Sequence, residues 1–298
     1  MARRNLKYQF LQAINNSFKE NMDKHADKAN GIRNTDKIYS YSSRSNLLDL
    51  SANFANYMRE VYPEVHKVSD IQAEHVQCFL NSKTEICSQL SLNQYGAMFR
   101  KLEKCVNAKY HCDVKYGCAV VPASSKNGGG KIRNVMLSQN DFKILIKSTS
   151  NQNLKKALTL SYYFGLRAAE CAKLKYEDIK NNGIFIIDSK GKRSRFIPAE
   201  SEKQKQILMQ FMEKERGRVC PVQHQSLEQA FRRELKKNGI AIQNGAFHTC
   251  RKAYATRKYK EYRENSSIKE SLSKVSVNLG HGANRFELMK EYICTALV

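Results

Sequence analysis

Residues 119–134 read Ala-Val-Val-Pro-Ala-Ser-Ser-Lys-Asn-Gly-Gly-Gly-Lys-Ile-Arg-Asn. Pro122 lacks a backbone donor, and Gly128, Gly129 and Gly130 lose more conformational freedom on folding than any other residue type. With two serines and three basic side chains among them, they offer no periodic apolar face to bury. A single core cannot run through such a stretch. The 298 residues are therefore expected to fold as two domains, 1–118 and 135–298, with 119–134 as a flexible basic linker.

The first domain carries helical stripes. Leu6, Phe10, Ile14, Phe18 and Met22 recur four apart, so a helix is expected over 5–22. Residues 23–40 are polar and predict a loop. Ser43 or Ser45 can cap a helix bearing Leu47, Leu48, Leu50, Phe54, Tyr57 and Met58, which ends before Pro63. Ser69-Asp70 starts a third, with Ile71, Val76, Phe79 and Leu80 apolar. Ser91 starts a fourth, with Leu92, Tyr95, Met98, Phe99, Leu102 and Val106 inward. Four short helices with short connections make a helical bundle.

The second domain is mostly helical with one small sheet. Ser138 to Asp141 reads as a helix cap with an acid three residues on. Further helices are expected at 153–164, 168–175, 200–215, 226–237, 248–262, 267–279 and 286–296. Ile184 to Ile187 form a short β run, and Arg195-Phe196-Ile197 its partner, stopped by Pro198. Asp188 to Ser194 make a basic hairpin tip. The fold class is mainly α: a helical bundle, then a mostly α domain with a small antiparallel sheet.

Lysine and arginine number 51 against 28 acids, a net charge of +23. Such an excess points to a polyanionic partner, most often nucleic acid. It is uneven: residues 1–117 carry +5, 118–134 carry +3 and 135–298 carry +15. No run of 18 apolar residues predicts a membrane helix, and no apolar segment follows the basic amino end as in a secretory signal. The nine cysteines are scattered singly without Cys-x-x-Cys pairs. That spacing suits reduced thiols in a cytoplasmic protein and neither zinc sites nor a complete disulfide framework.

Six residues of the basic domain can break a phosphodiester. Arg167 lies in Gly-Leu-Arg-Ala-Ala-Glu, and Arg251 follows His248 in His-x-x-Arg ahead of Ala255-Thr256. Arginine grips two phosphate oxygens at once and keeps its proton, so it stabilises the charge that builds on the non-bridging oxygens. Each such charged hydrogen bond contributes about 1.5–3 kcal/mol. Glu170, one turn after Arg167, can also pair with it within the chain. Tyr292 supplies a nucleophile, and deprotonating its phenol at neutral pH costs roughly 4 kcal/mol unless a base or a cationic field helps. His248 or His281, the latter closing Leu279-Gly280-His281, can take that proton or hold the phosphate. Lys190, at the hairpin tip, can protonate the departing oxygen, and Lys192 competes for that role. Tyr254, Tyr259 and Tyr262 compete with Tyr292, but all lie on the helix expected to carry Arg251. Lys192, Arg193 and Arg195 in the hairpin, Lys252 and Arg257 on the His-x-x-Arg helix, and Lys131 and Arg133 in the linker are candidate DNA contacts.

Gly-Leu-Arg-x-x-Glu, a β-hairpin Lys-Gly, His-x-x-Arg-x-x-x-Ala-Thr, Leu-Gly-His and a terminal tyrosine, in that order, resemble the tyrosine recombinases. That family includes phage-type integrases and Xer-like resolvases. The resemblance covers about residues 40–298. It implies a helical core-binding domain of SAM-like type, a catalytic domain, and a C-shaped clamp on DNA. It also implies roles. Arg167 and Arg251 would clamp the scissile phosphate, and Lys190 would protonate the 5′ oxygen. His248 would help activate the nucleophile, His281 would bond the phosphate, and Tyr292 would form a 3′-phosphotyrosyl bond. The bond energy is conserved in that adduct, so no cofactor, metal or ATP is implied. The implied partners are double-stranded recombination sites and further copies of the chain, a dimer on each site and a tetramer in synapsis. Cytoplasmic, nucleoid-associated work for a mobile element would follow. Two other readings stay open: a type IB topoisomerase-like strand transferase, and a non-catalytic DNA-binding protein on the same scaffold.

Overall fold

Short polar side chains start most of the helices. In the computed structural model, which describes residues 5–126, 135–187, 189, 194–212, 216–242 and 246–294, the chain divides into two units at Lys131/Ile132. The first unit holds α1 (Leu6–Ser17), α2 (Lys24–Ala29), α3 (Tyr41–Val61), α4 (Ala73–Asn81) and α5 (Gln89–Tyr110). The Asn5 side-chain oxygen (Oδ1) accepts the Tyr8 N–H at the start of α1. Ser40 and Ser88 cap α3 and α5, accepting the backbone N–H groups of Ser43 and Ser91. Ser40 lies three residues ahead of Ser43 and five ahead of Ser45, the two expected caps, and Ser88 lies three ahead of Ser91. Ser43 and Ser91 receive no helix end; they supply the N–H that a true cap needs.

Residues 23–40 differ from the expected loop by the short α2. Ser69-Asp70 form a single 3-10 turn ahead of α4 and not the first turn of a helix. The core of this unit is aromatic. Phe54 lies edge-on to Phe79 and Phe99 at centroid distances of 5.2 and 5.0 Å, and Phe10 sits 6.1 Å from Phe54. Edge-to-face pairs of this kind add to the simple burial of area.

The first half of the expected linker is not a free strand. Gln77 on α4 pairs with both backbone groups of Val120, accepting its N–H at 2.7 Å and donating to its carbonyl at 2.9 Å. Ser124 donates to the Cys87 carbonyl and its N–H reaches the Gln89 side chain. Gly96 of α5 has no side chain where the Val121 methyl lies. Residues 119–126 are thus a strap fastened to the first unit. Residues 127–134, with Lys131 and Arg133, lie outside the described residues.

The second unit runs α6 (Gln139–Ser148), α7 (Gln152–Phe164), α8 (Ala168–Lys173), β1 (Ile179–Lys180), β2 (Gly183–Ile186), β3 (Arg195–Pro198), α9 (Glu202–Met212), α10 (His224–Lys237), α11 (Ala246–Arg263), α12 (Ile268–Asn278) and α13 (Phe286–Tyr292). The sheet is antiparallel in the order β1-β2-β3, with Ile184 opposite both Ile179 and Ile197. The two-residue β1 was not legible in the sequence. Ile184, Ile186 and Ile197 face the core with Leu154, Leu158, Phe164 and Phe231. A smaller cluster gathers Tyr254, Val275, Leu279, Met289, Tyr292 and Ile293, and so joins α11, α12 and α13. No helix among the described residues is long and apolar enough to cross a membrane.

Candidate active site

Two glycine turns bring the separate motifs together. Gly165 ends α7 with φ +68°, and its carbonyl accepts from the Arg251 guanidinium. Gly280 follows α12 with φ +74°, and the preceding Leu279 carbonyl accepts from the same guanidinium. A side chain at Gly280 would meet the Arg195 guanidinium at 2.9 Å. Positive φ and close approach both demand glycine here.

Arg251 is only 1 % exposed, a guanidinium held in the interior by backbone carbonyls. Its Nε has no hydrogen-bond partner among the described residues. Burial and the neighbouring Arg167 charge push its pKa down to about 10, so it stays protonated at neutral pH. Its guanidinium carbon sits 5.5 Å from the centre of the Tyr292 ring.

Arg167 stands at the N-terminus of α8, where the Glu170 carboxylate accepts its backbone N–H at 2.9 Å and its guanidinium at 2.8 Å. The other arm of the guanidinium meets His281 Nε2 at 3.1 Å. Arg251 approaches the same nitrogen at 3.4 Å. Arginine only donates, so His281 Nε2 accepts and the ring proton lies on Nδ1. Burial, with the charges of Arg251, Arg167 and Arg195, pushes the His281 pKa down to about 4. The imidazole is neutral, as an acceptor facing two guanidinium groups must be.

Tyr292, at the end of α13, is 8 % exposed. Its ring lies 5.3 Å from the His281 ring and 6.0 Å from that of His248, which is exposed. Beyond it the Cys294 N–H donates to Thr256 Oγ1 on α11, fixing the chain that leaves the tyrosine. The other tyrosines are placed differently. Tyr254 is fully buried, its hydroxyl near the Asn278 amide. Tyr262 donates to Glu200 and accepts from Asn278. Burial, then the Glu200 charge, pushes the pKa of both phenols well up, away from what a nucleophile needs. Tyr259 is 9 % exposed. The structure therefore brings Arg167, His248, Arg251, His281 and Tyr292 to one place. Lys190, Lys192 and Arg193 lie outside the described residues.

Of the expected DNA contacts, the Arg195 side chain and Lys252 are buried and Arg257 is half-buried. Arg195 is paired with Glu170, its side chain 9 % exposed. Lys252 is 8 % exposed. Arg257 donates to the Tyr162 carbonyl and lies 4.9 Å over the Tyr162 ring. Charge alone did not reveal these partners or this burial. The residue that sequence reasoning underused is Glu170. Its carboxylate is 6 % exposed and gathers Arg167, Arg195 and the Ser189 hydroxyl, with Arg251 at 4.0 Å. Burial alone would raise its pKa, but the hydrogen bonds and charge of Arg195, then Arg251 and the Arg167 N–H, hold it well below the usual carboxylate range. The Arg-x-x-Glu spacing was the available signal.

Comparison with known proteins bears on the fold. Residues 136–278 match the model of the phage integrase family. A lambda integrase dimer bound to a COC' core site is similar over 91 % of this chain and 77 % of its own, with TM-score 0.62 and 17 % identity. XerH site-specific recombinase bound to palindromic difH is similar over 97 % of this chain and 91 % of its own, with TM-score 0.60 and 14 % identity. The Tn1549 transposon integrase in complex with transposon right end DNA covers 97 % and 94 %, with TM-score 0.57 and 12 % identity. A comparison with curated proteins gives no match. The fold is that of the tyrosine recombinases. Within it, the match to the phage integrase family model lies in the second unit.

Proposed function

We propose that the protein is a site-specific DNA recombinase that cleaves and rejoins DNA through a 3′-phosphotyrosyl intermediate. The observation that carries this is the gathering of Arg251, His281 and His248 around the Tyr292 ring, with Arg167 bonded to His281.

In this reading the Tyr292 oxygen attacks phosphorus and the bond to the 5′ oxygen breaks. Arg167 and Arg251 hold the non-bridging oxygens, where charge builds. His281 exchanges its arginine contacts for a phosphate oxygen, and its Nδ1–H serves as a donor if the ring turns. His248, exposed beside the phenol, takes the phenolic proton. Lys190 gives a proton to the departing 5′ oxygen, which leaves as a hydroxyl. The reverse sequence on a new 5′ hydroxyl reseals the strand with no net loss of phosphodiester bonds. The partners are double-stranded recombination sites and other copies of the chain, two on a site and four in synapsis. The +15 second domain supports the DNA partner. Integration or excision of a mobile element, at the nucleoid in the cytoplasm, is the setting this chemistry suits.

The test begins with duplexes selected for binding from randomised DNA. A nicked version that loses its 5′ fragment should trap a covalent adduct with the protein. Tyr292→Phe should abolish the adduct and leave binding intact. Binding without an adduct on every selected duplex would favour the non-catalytic reading. Relaxation of supercoiled DNA that lacks the selected site would favour the topoisomerase-like one.

A further inference from the structure

Arg195 joins three segments of the site. Its Nη1 and Nη2 each donate to a different oxygen of Glu170 at 2.9 Å. Its Nε donates to the Asn278 carbonyl at 3.0 Å, at the end of α12, two residues before the Gly280 turn that presents His281. Its Nη1 also lies 3.4 Å from the Ser189 hydroxyl, which itself donates to Glu170 at 2.5 Å. Gly280 leaves the room that this guanidinium occupies. Arg195 belongs to β3, so one side chain ties the sheet, the start of α8 and the His281 turn together.

The charge count gives this arrangement a consequence. Glu170 is a buried carboxylate beside three arginines: Arg167 at 2.8 Å, Arg195 at 2.9 Å and Arg251 at 4.0 Å. A carboxylate in a low-dielectric site draws hard on the nearest cation. Arg195 engages both oxygens in the bidentate form that satisfies a carboxylate best. We propose that Arg195 is a positioning residue whose bidentate pairing neutralises Glu170 and so keeps the charge of Arg167 and Arg251 available to the scissile phosphate. Without it, Glu170 keeps a full negative charge, tightens the hold it already has on Arg167, draws Arg251 in from 4.0 Å and repels the incoming phosphate. The donors of Arg195 are committed to Glu170, the Asn278 carbonyl and Ser189. Arg195 acts through Glu170.

This inference rests on the strand-transfer reading above. The experiment measures the rate of covalent adduct formation on the selected nicked duplex, in two forms. One carries the natural phosphodiester at the cleavage position, and the other an uncharged methylphosphonate there. Arg195→Ala is expected to slow the first by about 100-fold, the range over which removal of one preorganised charge acts. It should slow the second by under about 5-fold, because an uncharged centre neither needs the clamp charge nor suffers from Glu170. Glu170→Gln placed on Arg195→Ala removes the uncompensated carboxylate and should recover at least tenfold of the lost rate. Arg195→Lys keeps the charge but not the fork, and should lie between. Thermal unfolding checks that each variant is folded, and Arg195→Lys carries the comparison if the alanine variant is not. Equal slowing on both linkages, or a double variant worse than either single one, overturns the proposal and leaves the strand-transfer reading intact. Absence of any adduct from the unaltered protein removes both.

Discussion

Gly165→Ala offers a sharp test of how the site is built. Gly165 has φ +68°, and a Cβ there would lie 2.5 Å from the Tyr254 ring, which is fully buried. The left-handed backbone costs an alanine about 1 kcal/mol. Forcing a methyl group against a buried ring that cannot move aside adds roughly 1–3 kcal/mol. Gly239 separates the two contributions. It has φ +66°, and a Cβ there would meet nothing within 4 Å, so Gly239→Ala carries the backbone cost alone.

The assay is native-state hydrogen exchange of the α11 amides in the full chain, which reports the opening free energy of the element that carries Tyr254 and Arg251. The difference between the two alanine variants should be about 1–3 kcal/mol, or roughly 5- to 150-fold in exchange rate. Tyr254→Val supplies the control. With the ring gone, the total penalty of Gly165→Ala should shrink to that of Gly239→Ala, a coupling that a double-mutant cycle reads directly. Equal penalties for the two glycines, or a Gly165 penalty unchanged by Tyr254→Val, would refute the packing argument. The same substitution should also slow DNA cleavage, because the displaced Gly165 carbonyl is one of the two that aim Arg251.

Other outcomes follow from the same geometry. His281 has its pKa pushed down to about 4, against an ordinary histidine near 6.5. Between those values the unfolded chain binds a proton that the folded site refuses, so stability falls as pH drops from about 6.5 towards 4. His281→Asn should flatten stability against pH in that window, and NMR titration should find the His281 ring neutral at pH 5.5; a ring already protonated there contradicts the two-arginine environment. Tyr262→Phe removes a hydroxyl that bonds Glu200 and Asn278 and should lower stability by about 1–3 kcal/mol. It should leave the covalent adduct intact, and loss of the adduct would move the nucleophile away from Tyr292. Gln77→Ala cuts both bonds to Val120 and should raise proteolytic cleavage within 119–126, with little change in the unfolding of the second unit.

The sequence showed the elements better than their neighbours. Helix positions in both units follow from apolar periodicity, since burial of one face is a local pattern. Ser40 and Ser88 were missed as caps because three residues on lay another serine with equal propensity, and only the N–H each cap receives distinguishes them. The strap at 119–126 was missed for a different reason. Its composition is that of a linker, and what fastens it is Gln77 and Gln89, polar helix residues more than 30 positions away. Local composition carries no trace of a partner so distant.

The site shows the same division more strongly. The residue types that handle phosphate stand out, because arginine, histidine and tyrosine are few and their motifs occur in order. What could not be read is which cations are committed to partners within the protein and which keep an arm toward the tyrosine site. Arg195 and Arg167 look alike in a charge count, yet one is 9 % exposed and committed to both oxygens of Glu170, while the other is 19 % exposed and turns one arm to His281. The deciding partner is a single carboxylate, and it sorts the cations by geometry. Three arginines around one buried carboxylate leave the site two positive charges in excess before any phosphate arrives. A DNA-binding surface gains from every added cation. A cluster of arginines built in the interior instead needs a counter-charge to hold its guanidinium groups together against their mutual repulsion, and Glu170 supplies it.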